Sequence, residues 1–315
     1  MSGALNRCKT AQLNTGQSAL GTEPPTARPM TDPYGRRVSG LRISLTANCN
    51  LRCLYCHNEG LPPSTAEMSP EEIGKIAEIA ASLGIKEIKL TGGEPLLRGD
   101  IAEILRLCAK WMDEISMTTN GTLLAPKAQA LRDAGLKRVN VSMDTLDPER
   151  YAALTGSDAL EQVMEGIRSA IHAGLQPVKV NIVAISEFSV EEIVETIEGA
   201  WAMGATPQLI EPIGWHSRME AVETYLCARA RAINNGARRK ICVMDKGRVE
   251  MVKVHSSAFC AGCTRLRVTS DGRLKPCLMH NEGLVDILSL IRNGAGEQAL
   301  SKAFEKAVES RRPWS

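Results

Sequence analysis

Residues 44–56, with the sequence SLTANCNLRCLYC, contain three cysteines at the spacing C-x3-C-x2-C. They follow a short run of apolar and β-branched residues, 41–46, that predicts a strand, so the cysteines lie on the loop that leaves it. Three thiolates can hold three irons of a [4Fe-4S] cluster and leave the fourth iron open, whereas a structural zinc site is closed by four ligands. His57 would be the fourth zinc ligand, but it is adjacent to Cys56, and adjacent side chains converge poorly on one ion.

Predicted strands and helices alternate along the chain after this loop. The six predicted strands are residues 41–46, 85–91, 115–119, 138–142, 178–184 and 208–213. The predicted helices between them are residues 69–83, 100–112, 127–134, 160–173 and 190–203. This alternation predicts an α/β fold with a parallel sheet and helical crossovers. We expect a partial (β/α)6 TIM-type barrel with its site at the carboxyl ends of the strands, although the pattern alone also allows an open doubly wound sheet.

The sequence predicts three regions. Residues 1–31 lack a hydrophobic period and predict a disordered extension, residues 32–214 form the barrel, and residues 215–315 form an α+β extension with its own cysteines. The elements predicted in the last region are a helix at 219–232, strands at 240–244 and 248–254, and helices at 285–291 and 297–309.

Composition excludes several classes of protein. The net charge is +2 and no basic tract stands out, which argues against nucleic-acid binding. No apolar run approaches the length of a membrane span. The ten cysteines cluster at short spacings and no apolar signal segment is visible, so we expect a reducing cytoplasm rather than disulfides. Four cysteines lie outside the clusters and receive no function: Cys8, Cys108, Cys227 and Cys242.

Polar and glycine residues end three consecutive predicted strands. Gly92-Gly93-Glu94-Pro95 follows the second, and glycines there allow a ligand to lie against the backbone while the carboxylate binds an amino group. Thr119 and Asn120 end the third strand and Ser142 ends the fourth. Asn120-Gly121 is a weaker signal, because this pair is common in turns.

A second cysteine triplet, Cys260, Cys263 and Cys277, lies near the end of the chain. His280 follows at C-x2-H, so spacing alone leaves a Cys3His zinc site and a second iron–sulfur cluster equally open. Arg265 and Arg267 alternate on a short strand and therefore share a face. Two guanidinium groups beside the cysteines favour a phosphate-binding site over a solvated strand face.

The first triplet, with the aromatic Tyr55 before its last cysteine, resembles the motif of the radical S-adenosylmethionine (SAM) superfamily. The second triplet, in CTRLRV at 263–268 and GRLKPC at 272–277, resembles the GTP 3′,8-cyclase family of molybdenum cofactor biosynthesis. The resemblance covers about residues 32–280 and favours the partial barrel. It implies two [4Fe-4S] clusters, held by Cys49, Cys53 and Cys56 and by Cys260, Cys263 and Cys277.

The resemblance also implies a reaction and its binding residues. A 5′-deoxyadenosyl radical from SAM abstracts hydrogen from C3′ of GTP, and the carbon radical attacks C8 of guanine, so no side chain is expected to act as the catalyst. The SAM-binding residues implied are Tyr55, Gly92, Gly93, Glu94, Thr119 and Ser142. The GTP-binding residues implied are Arg42, Lys89, Lys179, Arg265 and Arg267. As partners it implies an unidentified reductant and the downstream cyclic pyranopterin monophosphate synthase, and it allows a homodimer.

The chain departs from the family pattern at several positions. Glu87 and Gln208 stand where basic residues are expected, and Thr264 replaces an asparagine. The Gly-Gly tail of many members is absent, and Arg311 or Arg312 is the candidate to replace it. Two alternatives stay open: a radical SAM enzyme that modifies a peptide, and a zinc-binding module without catalytic activity.

Overall fold

The computed structural model describes residues 30–60, 64, 66–236 and 238–313. Six strands alternate with helices over the first two thirds of the chain. The strands are β1 (Gly40–Ser44), β2 (Glu87–Thr91), β3 (Glu114–Thr119), β4 (Arg138–Ser142), β5 (Lys179–Val183) and β6 (Thr206–Ile210). The helices are α1 (Pro70–Ser82), α2 (Ile101–Ala109), α3 (Ala128–Asp133), α4 (Pro148–Thr155), α5 (Leu160–His172) and α6 (Val190–Ala202).

The remaining elements come from the last hundred residues. The strands are β7 (Ala232–Asn235), β8 (Lys240–Val243), β9 (Arg248–Val252), β10 (Arg265–Val268), β11 (Arg273–Lys275) and β12 (Val285–Asp286). The helices are α7 (Met219–Cys227), α8 (Ser257–Ala261), α9 (Ile287–Arg292) and α10 (Glu297–Glu309).

All twelve strands of the described residues belong to one sheet, in the order β12-β11-β10-β1-β2-β3-β4-β5-β6-β9-β8-β7. Strands β1 to β6 pair in parallel with their sequence neighbours, which confirms the six strand–helix units and the partial barrel. The late strands β10 and β9 also pair in parallel, beside β1 and β6 respectively. The C-terminal region thus extends the sheet at both edges, and each extension ends in antiparallel strands.

The strands have an apolar outer face and a polar inner face. Outer residues such as Ile43, Leu90, Val141 and Ile182 are fully buried in the core between sheet and helices. On the inner face, Lys89 Nζ donates to Asn140 Oδ1 at 2.9 Å, and Asn140 Nδ2 and Gln208 Nε2 each donate to Asn181 Oδ1 at 3.0 Å. A hydrogen-bonded polar layer therefore crosses the interior of the barrel.

Several predicted boundaries differ from the structure. The helix predicted at 219–232 ends at Cys227, because Ala232 opens β7, which pairs with β8. Helix α4 was not predicted, although Asp147 caps it through the backbone N–H groups of Glu149 and Arg150. The helix predicted at 285–291 begins at Ile287, since Val285–Asp286 pairs with β11.

The predicted division at residue 214 stays a prediction, and the hydrogen-bonded sheet is continuous across it. The disordered extension predicted for residues 1–31 lies outside the described residues except for its end. Met30 is buried, and Thr31 pairs with Arg37, so these two residues belong to the folded part. No helix among the described residues has the length and apolar character needed to cross a membrane.

Candidate active site

The first cysteine triplet lies on the loop after β1 and is fixed by backbone hydrogen bonds on two sides. Arg52 N donates to Thr155 O at 2.8 Å and Leu54 N donates to Leu154 O at 3.0 Å, so the end of α4 supports the loop. On the other side, Gly93 N donates to Thr46 O at 2.7 Å. The three thiols form no disulfide and are at least partly exposed.

Gly92 and Gly93 serve the packing of this loop. A Cβ on Gly93 would lie 2.1 Å from the carbonyl oxygen of Asn48, and one on Gly92 would lie 2.7 Å from that of Thr46. No side chain fits at either distance, so glycine is required there for close approach of the cysteine loop. Both glycines also line a cavity of about 480 Å³.

Glu94 and Thr119 are engaged with each other and with the backbone. The fully buried Glu94 carboxylate accepts hydrogen bonds from Thr119 Oγ1 at 2.7 Å and from the N–H groups of Leu96 and Asn120 at 2.9 and 2.6 Å. Burial raises the pKa of Glu94, although these three donors oppose the shift. Glu94, Thr119 and the half-buried Ser142 line neither the cavity of about 480 Å³ nor a second one of about 720 Å³.

Tyr55 is held by a buried carboxylate that the sequence analysis missed. Its hydroxyl donates to Asp144 at 2.5 Å, and the other oxygen of Asp144 accepts from Val183 N at 2.7 Å. Complete burial raises the pKa of Asp144 to about 6. Burial and the charge of Asp144 together raise the pKa of Cys53 to about 12 in the metal-free protein. The available signal was a carboxylate two residues beyond a strand, in Ser142-Met143-Asp144.

The larger cavity, about 720 Å³, occupies the interior of the barrel. All five cations implied as GTP ligands line it: Arg42, Lys89, Lys179, Arg265 and Arg267. Three further cations that the sequence analysis did not select also line it: Arg138, Arg238 and Arg239. Arg138 opens β4 on the inner face, whereas the two others lie between β7 and β8.

Five of these eight cations have carboxylate partners. Glu59 pairs with Arg42 at 3.4 Å and with Arg267, and Glu250 pairs with Lys179 at 2.5 Å and Arg239 at 3.0 Å. Arg138 pairs with Glu114 at 2.6 Å.

Lys89, Arg238 and Arg265 form no ion pair with any residue that the structure describes. The Nε of Arg238 is buried and makes no hydrogen bond within the same set. Burial and neighbouring cations lower the pKa of Lys89 and Arg265 well below their usual values. The cavity therefore carries positive charge that an anionic ligand would neutralise.

Glu59 separates the two cavities, since it lines the smaller one and its partners Arg42 and Arg267 line both. Burial opposes its ionisation, but these two arginines lower the pKa of Glu59 to about 2. Asn58 and Glu59 adopt left-handed backbone conformations, with φ of 47° and 55°, a strained arrangement for non-glycine residues. An acidic residue close to the first triplet is the only signal of this contact in the local sequence.

The second triplet lies next to the same cavity. Cys260 belongs to α8, Cys263 precedes β10 and Cys277 follows β11. Burial raises the pKa of Cys263, but the Arg265 N–H and the charges of Arg311, Arg238 and Arg265 outweigh this and lower it.

The donor sets fit iron–sulfur clusters. Among the described residues, no three side chains of His, Cys, Asp or Glu converge closely enough to hold one metal ion, as zinc requires. His280 Nδ1 lies 3.8 Å from Glu282 Oε2. A cluster takes one cysteine per iron, and each triplet supplies three thiols.

Neighbours of both triplets line the larger cavity. Tyr55 and His57 flank Cys56, Phe259 flanks Cys260, and Leu278 flanks Cys277. A molecule in the cavity would thus lie beside both triplets.

Two family models match the chain. The model described as the Radical SAM superfamily matches residues 43–200, and the model described as Molybdenum Cofactor Synthesis C matches residues 214–314. Curated relatives match nearly end to end. A probable GTP 3′,8-cyclase of Pyrococcus abyssi is 42% identical over 305 residues, covering 90% of this chain and 99% of the relative. The one of Methanosarcina acetivorans is 41% identical over 320 residues, covering 96% and 94%.

Solved structures with a similar fold are much less similar in sequence. Streptococcus suis SuiB bound to S-adenosylmethionine gives a TM-score of 0.62 at 17% identity, covering 85% of this chain and 68% of that chain. Methylornithine synthase (PylB) gives 0.55 at 15% identity, covering 85% and 86%. At these identities the likeness supports the fold alone.

The packing of Gly93 predicts that Gly93→Ala destabilises the protein. Because the added methyl group would overlap the backbone of the first cysteine loop, we expect a loss of about 1–3 kcal/mol in the free energy of unfolding. Urea denaturation of the metal-free protein measures it. Gly99→Ala is the matched control, since a Cβ there meets nothing within 4 Å. Equal stability of the two variants would contradict this account.

The buried Asp144 predicts a specific pH dependence of stability. Its pKa is about 6 in the folded protein and about 3.9 in an unfolded chain, so the folded state binds this proton more tightly. The resulting stabilisation is full at low pH and disappears as the pH rises through 6. Relative to Asp144→Asn, the metal-free wild type should therefore lose about 2 kcal/mol between pH 4 and 7.

Asp144→Asn is a suitable reference, because its amide oxygen still accepts from Val183 N and its NH2 group can donate to the Tyr55 hydroxyl. Denaturant unfolding of both proteins at each pH gives the difference. If the free energies of unfolding of the wild type and Asp144→Asn change in parallel with pH, Asp144 does not titrate as described.

Proposed function

The chain belongs to the radical SAM superfamily and, within it, to the GTP 3′,8-cyclase family, and we propose that it converts GTP to (8S)-3′,8-cyclo-7,8-dihydroguanosine 5′-triphosphate, the first step of molybdopterin biosynthesis. The observation that carries the proposal is the unpaired positive charge of Lys89, Arg238 and Arg265 in a cavity that adjoins both cysteine triplets. A nucleoside triphosphate supplies matching negative charge. The same observation favours GTP over a peptide as substrate.

The cysteines supply the ligands for the family's two [4Fe-4S] clusters, the first with SAM. Cys49, Cys53 and Cys56 would hold one cluster, and Cys260, Cys263 and Cys277 the other. When bound, the first cluster and SAM supply a carbon-centred radical able to abstract hydrogen, chemistry that belongs to the cofactors.

The chain contributes binding and orientation. Guanidinium and ammonium groups would bind the triphosphate, with the planar forks of Arg265 and Arg267 suited to paired hydrogen bonds with phosphate oxygens. The polar layer of Asn140, Asn181 and Gln208 offers donors and acceptors to the ribose and base. Fixing the substrate by several groups at once restricts which of its hydrogens meets the reactive centre.

The roles of individual SAM-binding residues are part of the proposal. Gly92, Gly93 and Tyr55 have access to the cavities, whereas the side chains of Glu94 and Thr119 would act by shaping the loop ends to which they bind. The reductant, a homodimer, the downstream synthase and a cytoplasmic location stay predictions from the resemblance.

The function is tested with anaerobically reconstituted protein, SAM, dithionite and GTP. We expect about eight irons per chain, 5′-deoxyadenosine formed only when GTP is present, and a cyclised product by mass analysis. Cys277→Ala should keep SAM binding and lose GTP turnover. Cleavage of SAM independent of GTP, or cyclisation by Cys277→Ala at the wild-type rate, would refute the assignment.

Because Lys89, Arg238 and Arg265 have no carboxylate partner among the described residues, we expect that replacing any one of them weakens the binding of GTP. A hydrogen bond to a charged group contributes about 1.5–3 kcal/mol, so Lys89→Met, Arg265→Met and Arg238→Met should each weaken binding roughly 10- to 100-fold. Equilibrium dialysis with the reconstituted protein measures the dissociation constant. Arg168→Met is the control, because Arg168 lies on the outside of α5 and pairs with Glu161 and Glu165. If Arg238→Met binds GTP with unchanged affinity, Arg238 does not contact the substrate.

A further inference from the structure

Two arginines far apart in the sequence bind the backbone of the second triplet. Arg36 Nη1 donates to the carbonyl oxygen of Cys260 at 3.1 Å, and Arg311 Nη2 donates to that of Cys263 at 2.7 Å. One arginine precedes the barrel and the other follows α10. Each therefore connects one cysteine of the C-x2-C pair to a different end of the folded chain.

A single carboxylate joins the two arginines. Asp32 Oδ2 accepts from Arg36 Nε at 2.6 Å and lies 3.1 Å from Arg311 Nη1. The second contact has the distance of an ion pair but not the direction of a hydrogen bond, since this Nη1 has no hydrogen-bond partner among the described residues. The side chain of Asp32 is fully buried and that of Arg311 is 2% exposed.

Further hydrogen bonds fix this arrangement. The other oxygen of Asp32 accepts from the backbone N–H groups of Tyr34 and Arg36 at 3.0 and 2.9 Å. Arg36 Nη2 also donates to the carbonyl oxygen of Arg312 at 3.3 Å, which ties the two ends of the folded chain together. We call Asp32, Arg36 and Arg311 the arginine clamp.

The two carbonyl groups lie at the end of a short helix, and that of Cys260 also accepts from Cys263 N at 3.1 Å. Helix α8 has five residues and ends at Ala261, so Cys260 and Cys263 lie at and just beyond its C-terminus. The last carbonyl groups of a helix have no partner within it, and arginine side chains commonly bind them. Removing either arginine would take away a hydrogen bond that restrains the backbone of a cysteine.

We propose that the arginine clamp positions Cys260 and Cys263 for the second cluster, and that the end of α10, through Arg311, is an integral part of that cluster's site. Arg36 and Arg311 are positioning residues, because they contact the cysteine backbone and not the substrate. The proposal rests on the proposed function, because it assumes that Cys260, Cys263 and Cys277 hold an iron–sulfur cluster. It also gives the residues that follow α10 a structural role beside the second triplet.

The test isolates the second triplet. In a protein in which Cys49, Cys53 and Cys56 are all replaced by alanine, reconstituted iron can occupy the second triplet alone, and we expect about four irons per chain. Arg311→Met and Arg36→Met are introduced into this background. Arg312→Met is the matched control, since its exposed side chain neighbours Arg311 and only its carbonyl oxygen contacts the clamp.

The readouts are iron and sulfide content, the electron paramagnetic resonance spectrum of the reduced cluster and its midpoint potential. For Arg311→Met and Arg36→Met we expect at least a twofold loss of iron, or a changed spectrum with a lower potential, because a positive charge beside the cluster is removed. Arg311→Lys, which keeps the charge and one donor, should restore part of the loss. Arg312→Met should match its parent.

Several outcomes would overturn the proposal. One is an unchanged iron content, spectrum and potential in both Arg36→Met and Arg311→Met. A second is a loss of iron from the first triplet that equals the loss from the second, when Arg36→Met or Arg311→Met is made in the protein with both triplets intact. Such a loss would mean that the substitutions misfold the protein in general. If the parent with the second triplet alone binds no iron, it is the proposed function that fails.

Discussion

Positive charge concentrated inside the barrel is the constraint on which the rest of the site depends. Eight cations line one cavity, and the carboxylates of Glu59, Glu114 and Glu250 partner five of them. Burying charge without compensation is costly, and the lowered pKa values of Lys89 and Arg265 express that cost. The apolar core between sheet and helices supports this interior, because each strand buries one face among aliphatic side chains and presents the other to the cavity.

The two cysteine triplets lie in different electrostatic surroundings. Near the first, burial and the charge of Asp144 together raise the pKa of Cys53. Near the second, Arg238, Arg265 and Arg311 lower the pKa of Cys263. A metal cluster is easier to reduce where the surrounding charge is positive, so the three arginines would favour reduction of a cluster at the second triplet.

Backbone packing fixes the triplets as firmly as side chains do. The first loop is held between the end of α4 and the glycines after β2, with no room for a Cβ at Gly93. The second is held by carbonyl groups that accept hydrogen bonds from Arg36 and Arg311. In both cases the supporting residues are far from the cysteines in sequence, so the geometry of each triplet depends on the completed fold.

Local periodicity and cysteine spacing were enough to predict the six strand–helix units, both triplets and the shared face of Arg265 and Arg267, whereas Arg42, Lys89 and Lys179 were implied by the family resemblance. These features repeat over a few residues, and the alternation of inner and outer side chains along a strand follows from backbone geometry. The pairing of β10 with β1 joins segments about 225 residues apart, and that of β9 with β6 joins segments about 40 residues apart, and no local pattern encodes either pairing. Other contacts between distant segments place Asp144 against Tyr55 and Glu59 between Arg42 and Arg267, and they bring Arg238 into the cavity. The sequence by itself determined which chemistry the chain carries, whereas the tertiary structure decided which charges remain unpaired and what holds the cysteines, because both depend on contacts between distant segments.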